Sequence, residues 1–393
     1  LIGWSVSSFT GWGVYGLNLA LQWSKDRELA PASTHPLLPG RINLDVVRQI
    51  ALRPFLAETN AVLANLASRQ GGSAEMDAPL LMPQNEDFVP AKAAGELAMS
   101  GRPTIGVAFF EQTQLAPDAV VRAAALPLIV TGSTWNEQLL KAHGLTNVRT
   151  VLQGIDPSIF RPTPRMGWLA DRFLVFSGGK LELRKGQDLV MAAFRRFAER
   201  RPDALLVTAW HSPWPDFART VDQTGRAAPV VFNPQGGLDV GGWARANGLP
   251  AEQVIDIGPV PNAMMGQLLT EMDAAVFPNR AEGGTNLVAM ECMACGVPTI
   301  LSANTGHLDL IEGEENCYPL LQQDQVAGGG APVGDVPGWG ESQVDEIVEA
   351  LERIYLDREE ARRRGARGAA TLSALTWAKT AEQMKALALG MDA

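Results

Sequence analysis

Cysteine is scarce in this chain, and positive charge is in deficit. Only 3 cysteines occur in 393 residues, and 33 Lys and Arg face 43 Asp and Glu, a net charge of −10. Cys292, Cys295 and Cys317 are too few, and odd in number, for a disulfide framework, so a reducing cytoplasm is the expected setting. Cys292 and Cys295 form a C-x-x-C, but no second ligand pair accompanies them, which favours small buried side chains over zinc or redox chemistry. The acidic balance argues against nucleic acid as the main partner. No strong basic amphipathic helix is present, so stable membrane insertion is not expected. The first 23 residues lack charge, yet Gly, Thr, Ser and Asn interrupt them and they contain no basic n-region. They read as a buried strand over Leu1–Val6, a glycine turn and an amphipathic helix rather than a membrane span.

What the chain does have is hydrophobic mass and loops: 46% hydrophobic residues, 39 Gly and 26 Pro. This length predicts two domains. Short apolar runs at 104–110, 126–132, 172–179, 204–210, 274–278 and 297–302 are each bounded by Gly, Pro or Ser. Helical periodicity fills 184–200 and 262–272. Alternation of this kind predicts parallel sheets covered by helices, an α/β class. A Pro- and Gly-rich stretch at 154–168 marks a boundary. It gives a first domain over 1–165, a second over 166–378, and a last helix over 379–393. Residues 69–87 and 321–340 read as loops, and no tandem repeat is present.

Gly11-Trp12-Gly13-Val14-Tyr15-Gly16 is literally a G-x-G-x-x-G, which by itself proposes a nicotinamide oxidoreductase. Four residues separate the expected strand from Gly11, and no second strand ending in an acidic residue follows. A glycine loop whose bare backbone approaches a substrate is the preferred reading.

The second domain holds the richer pattern. A strand ends in Gly178-Gly179 and is followed by Lys180, Arg184 and Lys185, which suits anionic groups. About a hundred residues later, "AAVFPNRAEGGTN" predicts strand, loop and helix start, with Thr285 as N-cap and Asn286–Ala294 as helix. The N–H groups there, bare of Cβ at Gly283 and Gly284, form an anion site. Together with the lysines they would neutralise a diphosphate. Glu282 and Glu291 flank this turn and would repel phosphate, so they are expected to accept hydrogen bonds from hydroxyls. Glu291 lies about 7–8 Å along the helix from Asn286, which suits a ribose. A paired-carboxylate glycosidase would use the glutamates but leaves the lysines unexplained.

At this point the sequence resembles the retaining GT-B glycosyltransferases of family four, the glycosyl transferases group 1. The likeness rests on "GGKLELRKGQDLVMAAF", on the segment 254–300, on "VLQGIDPSIFRP" and on "GSTWNEQLLKAHGL". Lys180 stands where the family usually has Arg. Glu282 and Glu291 are separated by eight residues where the family has seven. The resemblance implies a GT-B fold of two Rossmann-like domains facing across a cleft, and transfer of a sugar from a nucleotide-diphosphate sugar to a hydroxyl.

It further implies Lys180, Lys185 and Glu282 as catalytic residues. Gly11, Gly13, Gly179, Val260, Gly284, Thr285, Asn286, Leu287 and Glu291 would surround the donor. No metal or other cofactor would be required. The acceptor would be a carbohydrate, a lipid-linked or a small hydroxyl compound, with Glu111 as a candidate contact at a strand end. His211 and His307 are further candidates near the donor. A non-catalytic nucleotide-sugar binding protein, an epimerase or a hydrolase would share the architecture.

Overall fold

The computed structural model of the chain describes residues 1–68, 72–90, 97–326 and 336–390. The chain forms two units. One comprises Leu1–Asp156, Pro261–Ala263 and Leu375–Ala393; the other comprises Pro157–Val260 and Met264–Ala374. The first unit ends at Asp156, and the chain returns to it at Leu375.

The second unit is built on six parallel strands. Their order across the sheet is Tyr318–Leu320, Thr299–Ser302, Ala274–Phe277, Phe173–Gly178, Ala204–Ala209 and Val254–Asp256. Each of the four central strands is buried almost throughout, because helices cover both faces. Helix Gln187–Ala198 turns Leu189, Val190, Ala193, Phe194 and Phe197 inward at helical spacing. These join Phe173, Val175, Leu206, Val276 and Ile300 in one core. Each such side chain contributes about 1.5–3 kcal/mol. Counted from Phe173, the strands run 3-2-1-4-5-6 across the sheet. The order therefore reverses between Phe173–Gly178 and Ala274–Phe277, and a ligand of such a sheet sits beyond the carboxyl ends at that reversal.

The first unit has four parallel strands in chain order, Leu80–Gln84, Thr104–Ala108, Leu128–Thr131 and Val148–Thr150. Leu1–Val6 is not the strand expected from its apolar run. Only Ile2 bridges, to Ser33 and Leu81. Helix Gly11–Trp23 is not amphipathic: all but Gly11, Trp12 and Gln22 are buried. Helix Trp377–Leu389 lies against it, and Trp23 Nε1 donates to Ala381 O at 2.9 Å.

Residues 69–87 are not a loop throughout. Strands Ser73–Met76 and Leu80–Gln84 lie there, while 69–71 fall outside the described residues. Pro83 and the flanking polar residues hid the second strand from its pattern. In 321–340, Gln323–Gln325 pairs antiparallel with Gly340–Ser342; 327–335 lie outside the described residues. The strands Val148–Thr150, Val254–Asp256 and Tyr318–Leu320 are too short for periodicity to reveal.

Gly186 joins the turn Leu183–Lys185 to helix Gln187–Ala198 with φ +69°, and a Cβ there would stand 2.3 Å from Pro278 O. Gly186→Ala is therefore expected to destabilise the protein by about 2 kcal/mol or more. An unaltered thermal midpoint would refute this account of the turn.

Candidate functional site

Two loops meet at the strand reversal. The first, after Phe173–Gly178, is stapled along its backbone. Gly179 N donates to Ala209 O at 3.1 Å, Leu181 N to Trp210 O at 2.9 Å, and Leu183 N to Thr220 Oγ1 at 2.9 Å. The second loop follows Ala274–Phe277. Arg280 N donates to Arg184 O at 2.6 Å, which ties the two loops directly.

The Arg280 side chain completes that tie. It is fully buried and grips Asp188, equally buried, with two bonds of 2.8 and 2.7 Å. It also donates to Glu341 at 2.7 Å and to Leu183 O at 2.7 Å. A buried guanidinium is tolerated only when its donors are matched in this way.

Glu282 is the centre of charge. Its carboxylate accepts from Lys185 Nζ and from Asn279 Nδ2, and from Arg184 Nη1 at 3.2 Å. Burial alone would raise its pKa; Lys185 and Arg184 outweigh that and hold it down at about 2. The same burial lowers the Lys185 pKa, which Glu282 counters and Arg184 reinforces. His307, fully buried nearby, is pushed down to about 4, first by burial. It is therefore neutral at physiological pH. Asn286 Nδ2 lies 3.1 Å from its Nε2, and Ser302 Oγ lies 3.0 Å from its Nδ1. Ser302 Oγ in turn donates to Asn279 O at 2.7 Å. With its hydroxyl proton engaged, Ser302 accepts, so His307 carries its proton on Nδ1 and accepts from Asn286.

The glycine-rich helix start differs from expectation by one residue. Asn286, not Thr285, is the N-cap; its backbone is left-handed at φ +63° and its side chain accepts from Ala289 N. The helix is Leu287–Ala294, and the Thr285 hydroxyl donates to Met290 Sδ at 2.9 Å. The loop before the cap is packed tightly. Gly306 N donates to Glu282 O at 3.0 Å, and a Cβ on Gly306 would sit 1.7 Å from Gly284 O.

The sequence-derived site residues divide as follows. Lys185, Glu282, Gly284, Thr285, Asn286, Leu287 and Glu291 lie on the second loop, its helix or the turn facing it, and Glu291 is buried. Gly179 begins the first loop with φ +108°. Lys180 does not reach Glu282: its Nζ pairs with Glu182 at 3.0 Å and lies 5.2 Å from the Phe217 ring. Arg184, not Lys180, joins Lys185 at Glu282. Val260 is half-buried and follows the end of strand Val254–Asp256.

Gly11, Gly13 and Glu111 belong to the first unit. Gly13 is explained by packing, since a Cβ would stand 2.1 Å from Ser7 Oγ; around Gly11 there is open space. Glu111 follows strand Thr104–Ala108 at its carboxyl end and is half-buried. Cys292 and Cys295 are buried, and burial, more than the nearby charge of Glu291, raises both thiol pKa values, Cys295 to about 12. Asn279, Arg280 and Ser302 escaped the sequence reading. Among the described residues no helix is long and apolar enough to cross a membrane.

Known proteins resemble this chain in sequence and in fold. The family described as "Family 4 Glycosyltransferase in conflict systems" matches residues 261–384. D-inositol 3-phosphate glycosyltransferase 1 of Catenulispora acidiphila is 28% identical over 204 residues, 49% of this chain and 44% of that protein. The GDP-mannose-dependent alpha-(1-6)-phosphatidylinositol monomannoside mannosyltransferase of Mycolicibacterium smegmatis is 29% identical over 168 residues, 39% of this chain and 37% of that protein. These comparisons support a family-four GT-B glycosyltransferase.

The matched segments span less than half the length of those relatives. In fold, the GT-B likeness runs over almost the whole chain. Sucrose-phosphate synthase of Thermosynechococcus elongatus superposes with TM-score 0.62 at 16% identity, covering 98% of this chain and 94% of that one. Anabaena HepE, solved with UDP, gives 0.61 at 15% identity, covering 99% and 100%.

Glu282→Gln leaves Lys185 without its carboxylate and the half-buried Arg184 with Glu182 but one carboxylate fewer, and is expected to cost about 3 kcal/mol at neutral pH. Because the folded pKa of Glu282 is about 2 against an ordinary 4.5, its contribution is full above 4.5 and fades as pH falls through 2. Denaturant titration at several pH values checks both points. His307 adds acid sensitivity earlier. The unfolded chain takes up its proton near 6.5 and the folded chain only near 4, so stability falls across that window. His307→Asn should flatten it; an unchanged slope would exclude His307 as the cause.

Proposed function

We propose that the second unit binds a nucleotide-diphosphate sugar at its strand reversal and that the protein transfers the sugar, with retention, to a hydroxyl acceptor. The observation that carries this reading is the cluster of Lys185, Arg184 and Glu282 beside the glycine-rich start of helix Leu287–Ala294. Lys180, Arg184 and Lys185 outnumber the carboxylates Glu182 and Glu282 paired with them. The excess positive charge suits a diphosphate at the place where a doubly wound sheet takes its ligand.

In this reading Lys185 and Arg184 meet the diphosphate, with Lys180 at its margin, beside Gly179 and the backbone of Gly284, Thr285, Asn286 and Leu287. Glu291 accepts from the ribose hydroxyls, and Val260 lies along the base. Glu282 faces the sugar and keeps Lys185 charged despite its burial. As the anomeric C–O bond breaks, its electron pair passes to the diphosphate, where the cations stabilise the growing negative charge. The acceptor oxygen bonds to the anomeric carbon on the same face, and its proton goes to a diphosphate oxygen. The products are a glycoside and a nucleoside diphosphate, with no protein nucleophile and no metal or other cofactor invoked. Glu111 of the first unit is the acceptor candidate, and the scarcity of cysteine fits a cytoplasmic enzyme.

The names of the relatives, one GDP-mannose-dependent and one solved with UDP, favour a nucleotide-diphosphate sugar as the donor. The nicotinamide reading loses support, because packing explains Gly13 and because Thr34 and His35, with no acidic residue, follow the bridge at Ser33. Calorimetric titration with UDP, GDP, ADP, dTDP and NAD tests the proposal. One nucleoside diphosphate should bind, and Lys185→Ala and Glu291→Ala should each weaken it about tenfold or more. Binding of NAD alone, indifferent to both substitutions, would sink it. The anomeric configuration of the product, read by NMR, then separates retention from inversion.

A further inference from the structure

His211 has no part in the site described so far, yet the sheet delivers it to the same edge. Strand Ala204–Ala209 lies between Phe173–Gly178 and Val254–Asp256, and all three run parallel. Neighbouring strands stand about 5 Å apart, so their carboxyl ends form one continuous rim. On one side, Trp210 O accepts from Leu181 N at 2.9 Å, which sets His211 next to the Lys180 turn. On the other, Ile257 N donates to Thr208 O at 3.0 Å, which brings up the Asp256–Val260 turn.

The ring is fixed rather than loose. Its Nε2 lies 2.6 Å from Asp256 Oδ2, and the other carboxylate oxygen accepts from Thr208 Oγ1 and Gly258 N, each at 3.3 Å. Both oxygens of Asp256 are thus engaged, and His211 remains partly exposed, at 23% of its side chain. An imidazole that donates from Nε2 to a carboxylate presents Nδ1 as an acceptor while neutral and as a donor once protonated.

We propose that His211, held by Asp256 through Nε2, donates from Nδ1 as the imidazolium to the diphosphate of the bound donor and sets donor affinity at this site. The inference rests on the nucleotide-sugar reading above. The segment that follows His211 also carries Phe217, in the 3-10 helix Pro215–Thr224, whose ring lies 5.2 Å from Lys180 Nζ. The charged groups on the neighbouring elements are Asp256, then Lys180, Glu182, Arg184 and Lys185 on the first loop, and Asp216, Arg219 and Asp222 in its own segment. Of these, Asp256 is the one that acts on the ring: its hydrogen bond, ahead of an opposing effect of burial, raises the His211 pKa above 6.5. Protonated His211 is therefore more abundant near neutral pH than an isolated histidine would be. It adds a cation to the rim below its raised pKa and withdraws it above.

The test uses the intact chain and calorimetry with UDP and GDP, each compared with its nucleoside. The measured quantity is the ratio of the dissociation constant of His211→Gln to that of the unaltered protein, which cancels the titration of the ligand's own phosphate. The ratio should be about tenfold near pH 6 and fall towards one near pH 8.5, and for the nucleosides it should stay near one throughout. Asp256→Asn, which keeps the ring but removes its carboxylate, should move the fall to lower pH. A diphosphate ratio near one at all pH values, or one independent of pH, overturns the role of His211 while leaving the donor site standing. Absence of any nucleoside diphosphate binding in the unaltered protein overturns the donor-site reading and this inference with it.

Discussion

A single buried guanidinium decides whether the candidate site exists. Arg280 reaches Asp188 on the helix after the first loop, Leu183 O within that loop, and Glu341 beyond both. Its own N–H meanwhile bonds Arg184 O. The turn that displays Arg184 and Lys185 is thereby fixed against the loop that displays Glu282. Burying such a charge is unfavourable unless every donor is matched, so the arrangement tolerates little change in geometry. That intolerance makes the site rigid before any ligand arrives, which is what electrostatic stabilisation of a charged transition state requires.

Around this tie the charges depend on one another. Lys185 is buried beside Arg184, and both features favour its neutral form; Glu282 supplies the field that opposes them. Glu282 in turn stays ionised because Lys185 and Arg184 outweigh its burial. His307 takes the opposite course and remains neutral, which suits a residue that accepts from Asn286 and donates to Ser302. Through that chain the left-handed cap of the helix is joined to Asn279, which itself donates to Glu282. Cap, carboxylate and cations thus form one hydrogen-bonded set rather than separate features.

Much of this was legible beforehand, for stated reasons. Six apolar runs announced central strands because strands buried on both faces need continuous hydrophobicity. The three-residue strands at the sheet edges escaped, since nothing periodic fits in so short a span. Threonine suits a cap whose backbone is extended, but the cap of this helix is left-handed. Asn286 took the position because asparagine tolerates the left-handed backbone found there. Lys180 drew attention by its place beside the glycines, yet Glu182, two residues on, claims it locally.

The amino-acid sequence by itself determined the α/β class, the glycine-rich helix start and the presence of lysines and glutamates at strand ends. These follow from local rules: hydrophobic period, glycine geometry and the fixed polarity of a parallel strand. Only the tertiary structure decided that Arg184 shares Glu282 with Lys185, that Arg280 pairs with Asp188, and that His211 turns to Asp256. The partners in these pairs stand far apart along the chain, at or beyond the carboxyl ends of different strands. Which carboxylate each cation meets is set by the order of strands across the sheet, and no local pattern encodes that order.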